Sequence, residues 1–188
     1  VTTSRRRSAV RSLSSMAREL HIFDFDGTLA NTYLPEEGKQ KWLENTGTEW
    51  PWQGWWGRRE SLSFSDVGPG PAFKDWESES RDRAGVHVVM LTGRRHHLRT
   101  EVETVLSRLN FVAREYHYND TGNDTLTYKQ QRIRALLQRY RHVRRVRIWE
   151  DREEHAGVFR EFGASAFPRL KWDVHLVAPS EQAARAPK

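Results

Sequence analysis

The chain has 188 residues, enough for one domain with a modest insertion and for a core that needs no staples. It contains no cysteine, which excludes disulfide scaffolds, cysteine-ligated zinc, iron–sulfur clusters and thiol catalysis. No apolar run approaches the ~20 residues that span a bilayer, so a cytoplasmic protein without membrane contact is expected, and its net charge of +6 is unevenly distributed along the chain.

Residues 1–19 are rich in Ser and Arg and lack hydrophobic periodicity. Arg5, Arg6, Arg7, Arg11 and Arg18 lie there without an acid. The composition is that of a transit peptide, yet Met16 stands just before the first predicted strand, which favours a dispensable tail or a mis-assigned start. Residues 20–25 read as a strand stopped by Gly27. Residues 30–85 then hold six of the eight tryptophans, Trp42, Trp50, Trp52, Trp55, Trp56 and Trp76, among several Gly and Pro. A segment of that length predicts a lid or cap over the strand ends. Its tryptophans either pack a miniature core, the commoner use of buried aromatics, or one or two of them, with Trp55 and Trp56 the candidates, stack on a substrate ring.

Residues 86–91 form a continuous apolar run stopped by Thr92-Gly93, which suits a parallel strand covered on both faces. Leu98, Val102, Val105, Leu106 and Leu109 fall at helical spacing. Residues 111–118 read as a strand ending in the turn-prone segment 119–124. Ile133, Leu136, Leu137 and Tyr140 predict an amphipathic helix with arginines on its other side. Residues 129–147 carry eight lysines and arginines and no acid, so this block and the first exceed the total charge and leave the rest of the chain acidic. A focused basic surface suits a polyanion such as nucleic acid; a solvated helix face is the plainer alternative. Residues 146–149 predict a strand ending in Glu150-Asp151, residues 153–162 a short helix, residues 174–177 a last strand, and residues 179–188 a frayed tail. This alternation predicts a three-layer, Rossmann-like α/β domain over residues 20–178, with a parallel sheet and its ligand site at the carboxyl ends of the strands.

The polar clusters at those ends carry the chemistry. Asp24 and Asp26 sit two residues apart after the first strand, and such acids repel unless a cation lies between them. Mg²⁺ takes oxygen ligands and keeps positions open for phosphate oxygens. One carboxylate can attack phosphorus, and the other can protonate the leaving group and then activate water. Thr92 and Gly93 offer a hydroxyl and backbone N–H groups to a phosphate oxygen. Lys129 can neutralise the phosphoryl charge, and Glu150-Asp151 supply further carboxylates for a metal. Arg94, Arg152 and His155 either contact substrate phosphate or form ion pairs with Glu150 or Glu153. His96-His97 lacks carboxylate company and reads as a helix start.

These residues, in this order, resemble the haloacid dehalogenase-like (HAD) superfamily: residues 23–28 its first motif, 89–93 its second, Lys129 its third and 148–151 its fourth. The resemblance implies a HAD fold, Mg²⁺ dependence and phosphoryl transfer through an aspartyl-phosphate. Asp24 would be the nucleophile and Asp26 the general acid/base. Asp24, the carbonyl of Asp26 and Asp151 would hold the metal, and Thr92 and Lys129 the phosphoryl group. More narrowly, residues 91–94, 127–129 and 149–152 with His155 and Phe159, and Gly54-Trp55-Trp56 in the insertion, are similar to the HAD domain of Swiss Army Knife RNA repair proteins. That likeness implies a phosphorylated RNA or other nucleic-acid end as substrate. A phosphatase for small metabolites or nucleotides is the alternative. A retired nucleic-acid-binding module is a third, which loss of Asp24, Asp26, Lys129 or Asp151 would mark.

Overall fold

The computed structural model describes residues 17–178. Five parallel strands, β1 (Glu19–Phe23), β2 (Val86–Arg95), β3 (Glu115–Asn119), β4 (Arg145–Glu150) and β5 (Lys171–Leu176), lie in the order β3-β2-β1-β4-β5. The helices of eight residues or more are α1 (Pro35–Thr46), α2 (Arg99–Arg108), α3 (Thr125–Arg139) and α4 (Glu153–Ala166). Strand order runs outward from β1 in both directions, so the connection from β3 to β4 crosses over and opens a crevice between β1 and β4 at their carboxyl ends. Ligands in open α/β sheets bind at such a switch point.

Period-two alternation distributes the strand side chains. Leu20 and Ile22 join Val89, Leu91 and Ile148 under Ile133 of α3 and Phe159 of α4. Phe23 faces the opposite side with Met90, Trp149, Val102 of α2 and Trp76. Three layers result, as the alternation predicted.

Several boundaries differ from the sequence expectation. The fold starts before residue 20: Ala17 is buried, and Arg18 donates its N–H to Gly85 and accepts from Arg144. The rest of both predicted tails lies outside the described residues. β1 closes at Phe23, which leaves Asp24 and Phe25 in the following turn. β2 does not stop at Thr92 but continues to Arg95, because a register irregularity lets Arg95 pair with Asn119. β3 begins at Glu115; Phe111 is buried without belonging to a strand, its ring packed on Phe23 and Trp76. The last helix runs on to Ala166, with Gly163 seated against Trp172, and β5 spans Lys171–Leu176.

Residues 30–85 are more than a lid. Ala72 and Trp76 belong to the same core as Phe23, and the π-helical turn Trp76–Ser80 lies along the sheet. Three polar contacts anchor this segment: His21 Nδ1 to Ser80 Oγ at 2.8 Å, Trp149 Nε1 donating to Asp75 at 2.8 Å, and an Arg147–Glu79 ion pair. Trp42, Trp50, Trp52 and Trp55 pack on one another with ring centroids 4.7–5.4 Å apart. Trp55 is buried against Gly38 and donates to the Tyr33 carbonyl at 3.0 Å. It is a packing residue and not a substrate-facing one, which corrects half of the lid expectation. No helix among the described residues is long and apolar enough to cross a membrane.

The His21 anchor makes stability pH-dependent. Burial pushes its pKa down to about 4, with the Arg147 charge adding and Glu19 opposing. A histidine that titrates near 6.5 when unfolded but is held neutral in the fold gives stability that is complete above 6.5 and lost as pH falls toward 4. At ~1.4 kcal/mol per pH unit the loss reaches roughly 3 kcal/mol. His21→Gln is expected to flatten the decline of Tm across that window; an unchanged decline would assign it to other groups.

Candidate active site

The turn after β1 brings the first two acids into the crevice. Asp24 stays tied to β4 through its N–H, which donates to the Trp149 carbonyl at 3.1 Å. The Phe25 carbonyl accepts from Leu29 and Ala30, and Gly27 N–H donates to Ala30, which closes the turn. Gly27 adopts φ +66°, and the space a Cβ would take is filled by the Asp151 carboxylate. Conformation and close approach both require glycine there.

Lys129 sits at the centre. It is buried on α3, and its Nζ lies 2.8 Å from Asp24 Oδ1 and 2.8 Å from Glu150 Oε2. Burial works against its charge, but Asp24 and Glu150 outweigh it and raise the ammonium's pKa. Glu150 is fully buried; Lys129 and His155 overcome the effect of burial and hold its carboxyl below the usual range. Its other oxygen lies 3.5 Å from His155 Nδ1 and 3.9 Å from Arg152 Nε. Asp24 is pushed up to about 6 by burial and by the charges of Glu150 and Asp26, against Lys129. Asp151 is pushed up to about 8 by burial and by Asp24 and Glu150.

Asp26 is held separately. The buried Arg94 guanidinium grips it with two hydrogen bonds, Nε to Oδ2 at 2.9 Å and Nη2 to Oδ1 at 2.8 Å, and Thr32 donates at 2.8 Å. Arg94 Nη1 also donates to the Trp56 carbonyl at 2.7 Å and to Ser61 Oγ at 2.8 Å. Four of the five guanidinium N–H groups are therefore engaged. Arg94 positions Asp26 against the insertion and lines the cavity; its ion pair is with Asp26 and not with Glu150 or Glu153, which corrects that expectation.

The charges indicate which carboxylates suit a metal. Lys129 balances Glu150 and Arg94 balances Asp26. Asp24 shares Lys129 with Glu150, and Asp151 has no cation of its own among the described residues; both carboxyls have raised pKa values, and oxygens of Asp24, Glu150 and Asp151 lie within 4.8 Å of one another. A hard divalent cation fits this all-oxygen set. Glu150 has its oxygens directed to Lys129, His155 and Arg152, so its main part is to orient Lys129.

A cavity of about 360 Å³ opens over these groups, lined by Asp24, Asp26, Asp151, Gly93, Arg95 and Arg152 among others. Trp56 lines it, 42% exposed, with the Arg94 guanidinium 4.9 Å from its ring. Leu34 and Thr125 also face it. Thr92 lies behind the wall, fully buried, its hydroxyl accepting from the Arg94 N–H at 3.1 Å. Thr125, which the motifs did not indicate, occupies the space a side chain at position 93 would need. It precedes Lys129 by one helical turn and so shares its face, a spacing visible in the sequence. His96 begins the turn His96–Leu98 that leads into α2, as expected for a helix start.

The basic block of residues 129–147 does not form a free cationic surface at this site. Arg132 pairs with Asp120, Arg139 with Glu115, Arg145 with Asp173 and Arg147 with Glu79. Arg134 lies over Phe162 and Phe167. Arg139 and Arg145 stand at the end of α3 and the start of β4, on the side of the sheet remote from Asp24.

Comparison with known proteins agrees with this fold. The HAD domain of the effector protein Lem4 from Legionella pneumophila superposes with a TM-score of 0.56 at 11% identity, covering 89% of this chain and 90% of that domain. An inactive mutant of that domain gives 0.55 at 12% identity, with 88% of each chain covered. At such identities the likeness is one of fold. The uncharacterized protein YMR265C of Saccharomyces cerevisiae is 28% identical over 86% of this chain, and the chain spans 40% of that protein's length. Residues 75–186, more than half of the sequence, match HAD domain family 1 in Swiss Army Knife RNA repair proteins, a match that includes Thr92, Lys129, Glu150 and Asp151 and begins after Asp24 and Asp26. The chain belongs to this family of HAD domains.

Proposed function

We propose that the chain is a Mg²⁺-dependent phosphatase that removes terminal phosphate from RNA ends through an aspartyl-phosphate. The observation that carries the phosphatase reading is the convergence of Asp24, Asp26, Lys129 and Asp151 at the switch point of the sheet. Their presence together also weighs against a retired binding module.

Asp24 attacks phosphorus with a carboxylate oxygen, forming an acyl phosphate as the bond to the leaving oxygen breaks. Asp26 enters the reaction protonated, passes its proton to that oxygen, and becomes the carboxylate that Arg94 and Thr32 hold at the cavity wall. Asp26 then takes a proton from water, which hydrolyses the acyl phosphate and restores Asp24. Lys129 keeps Asp24 in place and counters charge on the phosphoryl group. Asp24, Asp151 and the Asp26 carbonyl would hold Mg²⁺, which supplies screening between the phosphoryl oxygens and the carboxylates. Gly93 leaves room for Thr125, and both line the cavity that would receive the phosphoryl group.

The RNA-end assignment draws on the family description and on the mouth of the cavity, where Arg95, Arg152 and the Trp56 ring offer cations and a stacking face. The volume of about 360 Å³ favours a small phosphorylated metabolite as the second reading. The test is phosphate release from 3′- and 5′-phosphorylated RNA of about ten nucleotides, a mononucleotide and an aryl phosphate, with Mg²⁺ and with EDTA. Release that needs Mg²⁺, with kcat/KM about tenfold or more higher for an RNA end than for the mononucleotide, is expected. Equal kcat/KM would select the metabolite reading, and no release from any substrate would end the phosphatase one.

A further inference from the structure

A second depression, of about 290 Å³, lies along the free edge of β3. Consecutive residues line the two depressions: Arg95 the cavity and His96 the edge trough. Three arginines from different elements converge on it, Arg99 at the start of α2, Arg114 before β3 and Arg132 on α3. Arg95 and Arg114 are exposed and pair with no carboxylate among the described residues. Among the described residues Arg99 pairs with half-buried Glu103 and Arg132 with exposed Asp120, contacts near the surface that a phosphate can displace.

Of the two acids that line the trough, Asp120 pairs with Arg132 and Glu115 is committed to other partners. Glu115 has its carboxylate taken by His87 and His117 at 2.9 Å, by Arg139 at 3.1 Å and by the Tyr140 hydroxyl. The rings of His96 and His117 line the same trough. Cations and rings that line one trough are what a protein offers a single-stranded nucleic acid. They also account for a cationic surface on an otherwise acidic chain, where the block at residues 129–147 is mostly neutralised.

We propose that the β3-edge trough binds the nucleotides next to the terminal one, with the strand leaving the cavity over Arg95 and His96 and its phosphates lying on Arg99, Arg114 and Arg132. This inference rests on the RNA-end reading of the cavity and adds the path of the strand.

The test uses the full chain, the exposed double variant Arg99→Gln/Arg114→Gln, and Arg114→Glu. Turnover is measured on an end-phosphorylated RNA of about ten nucleotides and on an aryl phosphate, which cannot reach the trough. Binding of the same RNA without its terminal phosphate is followed by fluorescence anisotropy across a salt series, with a mononucleoside monophosphate as competitor. The double variant is expected to lose about tenfold or more in kcat/KM for RNA, mainly through KM, and to lower the salt slope by about 0.7 per lost contact. Turnover of the aryl phosphate stays at the wild-type level, which also reports an intact fold. RNA turnover and binding unchanged in both variants would overturn the trough and leave the phosphatase reading standing. RNA binding weakened in the variants, with no phosphate released by the wild type, would support the trough and overturn that reading. RNA bound no more tightly than the mononucleotide would overturn the trough.

Discussion

Asp24→Asn is expected to reduce phosphate release from an aryl phosphate and from an RNA end by about 10³-fold or more while the fold persists. The amide has the shape of the carboxylate and can still present an oxygen to Lys129, which keeps its 2.8 Å contact with Glu150. It lacks the anionic oxygen that attacks phosphorus. Removing one charge from a cluster of four carboxylates also relieves repulsion, so Tm is expected to stay level or rise slightly without Mg²⁺, and the stabilisation conferred by Mg²⁺ is expected to shrink. Turnover at the wild-type level would exclude the aspartyl-phosphate route.

Lys129→Met should damage both stability and activity. The ammonium is buried between Asp24 and Glu150. Its loss leaves two carboxylates facing each other without a cation, and breaking a buried pair from one side costs about 3–5 kcal/mol. Urea unfolding reads that cost directly. Adding Glu150→Gln removes one of the stranded charges, so the double variant should regain most of the stability and none of the activity, a coupling that a thermodynamic cycle isolates. Lys129→Arg should not restore turnover, because a planar fork does not reproduce a point charge that touches two separate oxygens. A Lys129→Met variant within about 1 kcal/mol of wild type would mean that the pair carries little of the fold's stability.

The sequence disclosed most where local pattern and tertiary demand coincide. Residues 86–91 are apolar without a break because β2 is covered on both faces, so the run announces itself. Asp24, Asp26 and Asp151 were readable because strand ends bring them together whatever the loops do, and Lys129 because it stands near the start of the helix that follows β3. Arg94 was visible as part of Leu91-Thr92-Gly93-Arg94, but its grip on Asp26 joins residues 68 apart and has no local signature. The extension of β2 through Arg95 was hidden because a polar stretch after an apolar run looks like a loop, while its pairing depends on Asn119. The run of arginines in residues 129–147 was plain; the acids that neutralise it, Glu79, Glu115, Asp120 and Asp173, come from four distant places and are not. The same holds for the insertion, where one tryptophan of the adjacent pair, Trp55, packs against Gly38 and the other, Trp56, faces the cavity. That split follows from which side of the chain meets α1, and composition does not encode it.

The most direct measurement is to trap the phosphate on the protein. Asp26→Asn slows hydrolysis of the acyl phosphate, so mixing that variant with Mg²⁺ and an aryl phosphate, quenching in acid and sequencing the peptides by mass spectrometry should locate a phosphoryl group. Phosphate on Asp24 and on no other residue is the predicted result. Phosphate on a different side chain, or rapid release with no phosphorylated protein at any time, would contradict the account.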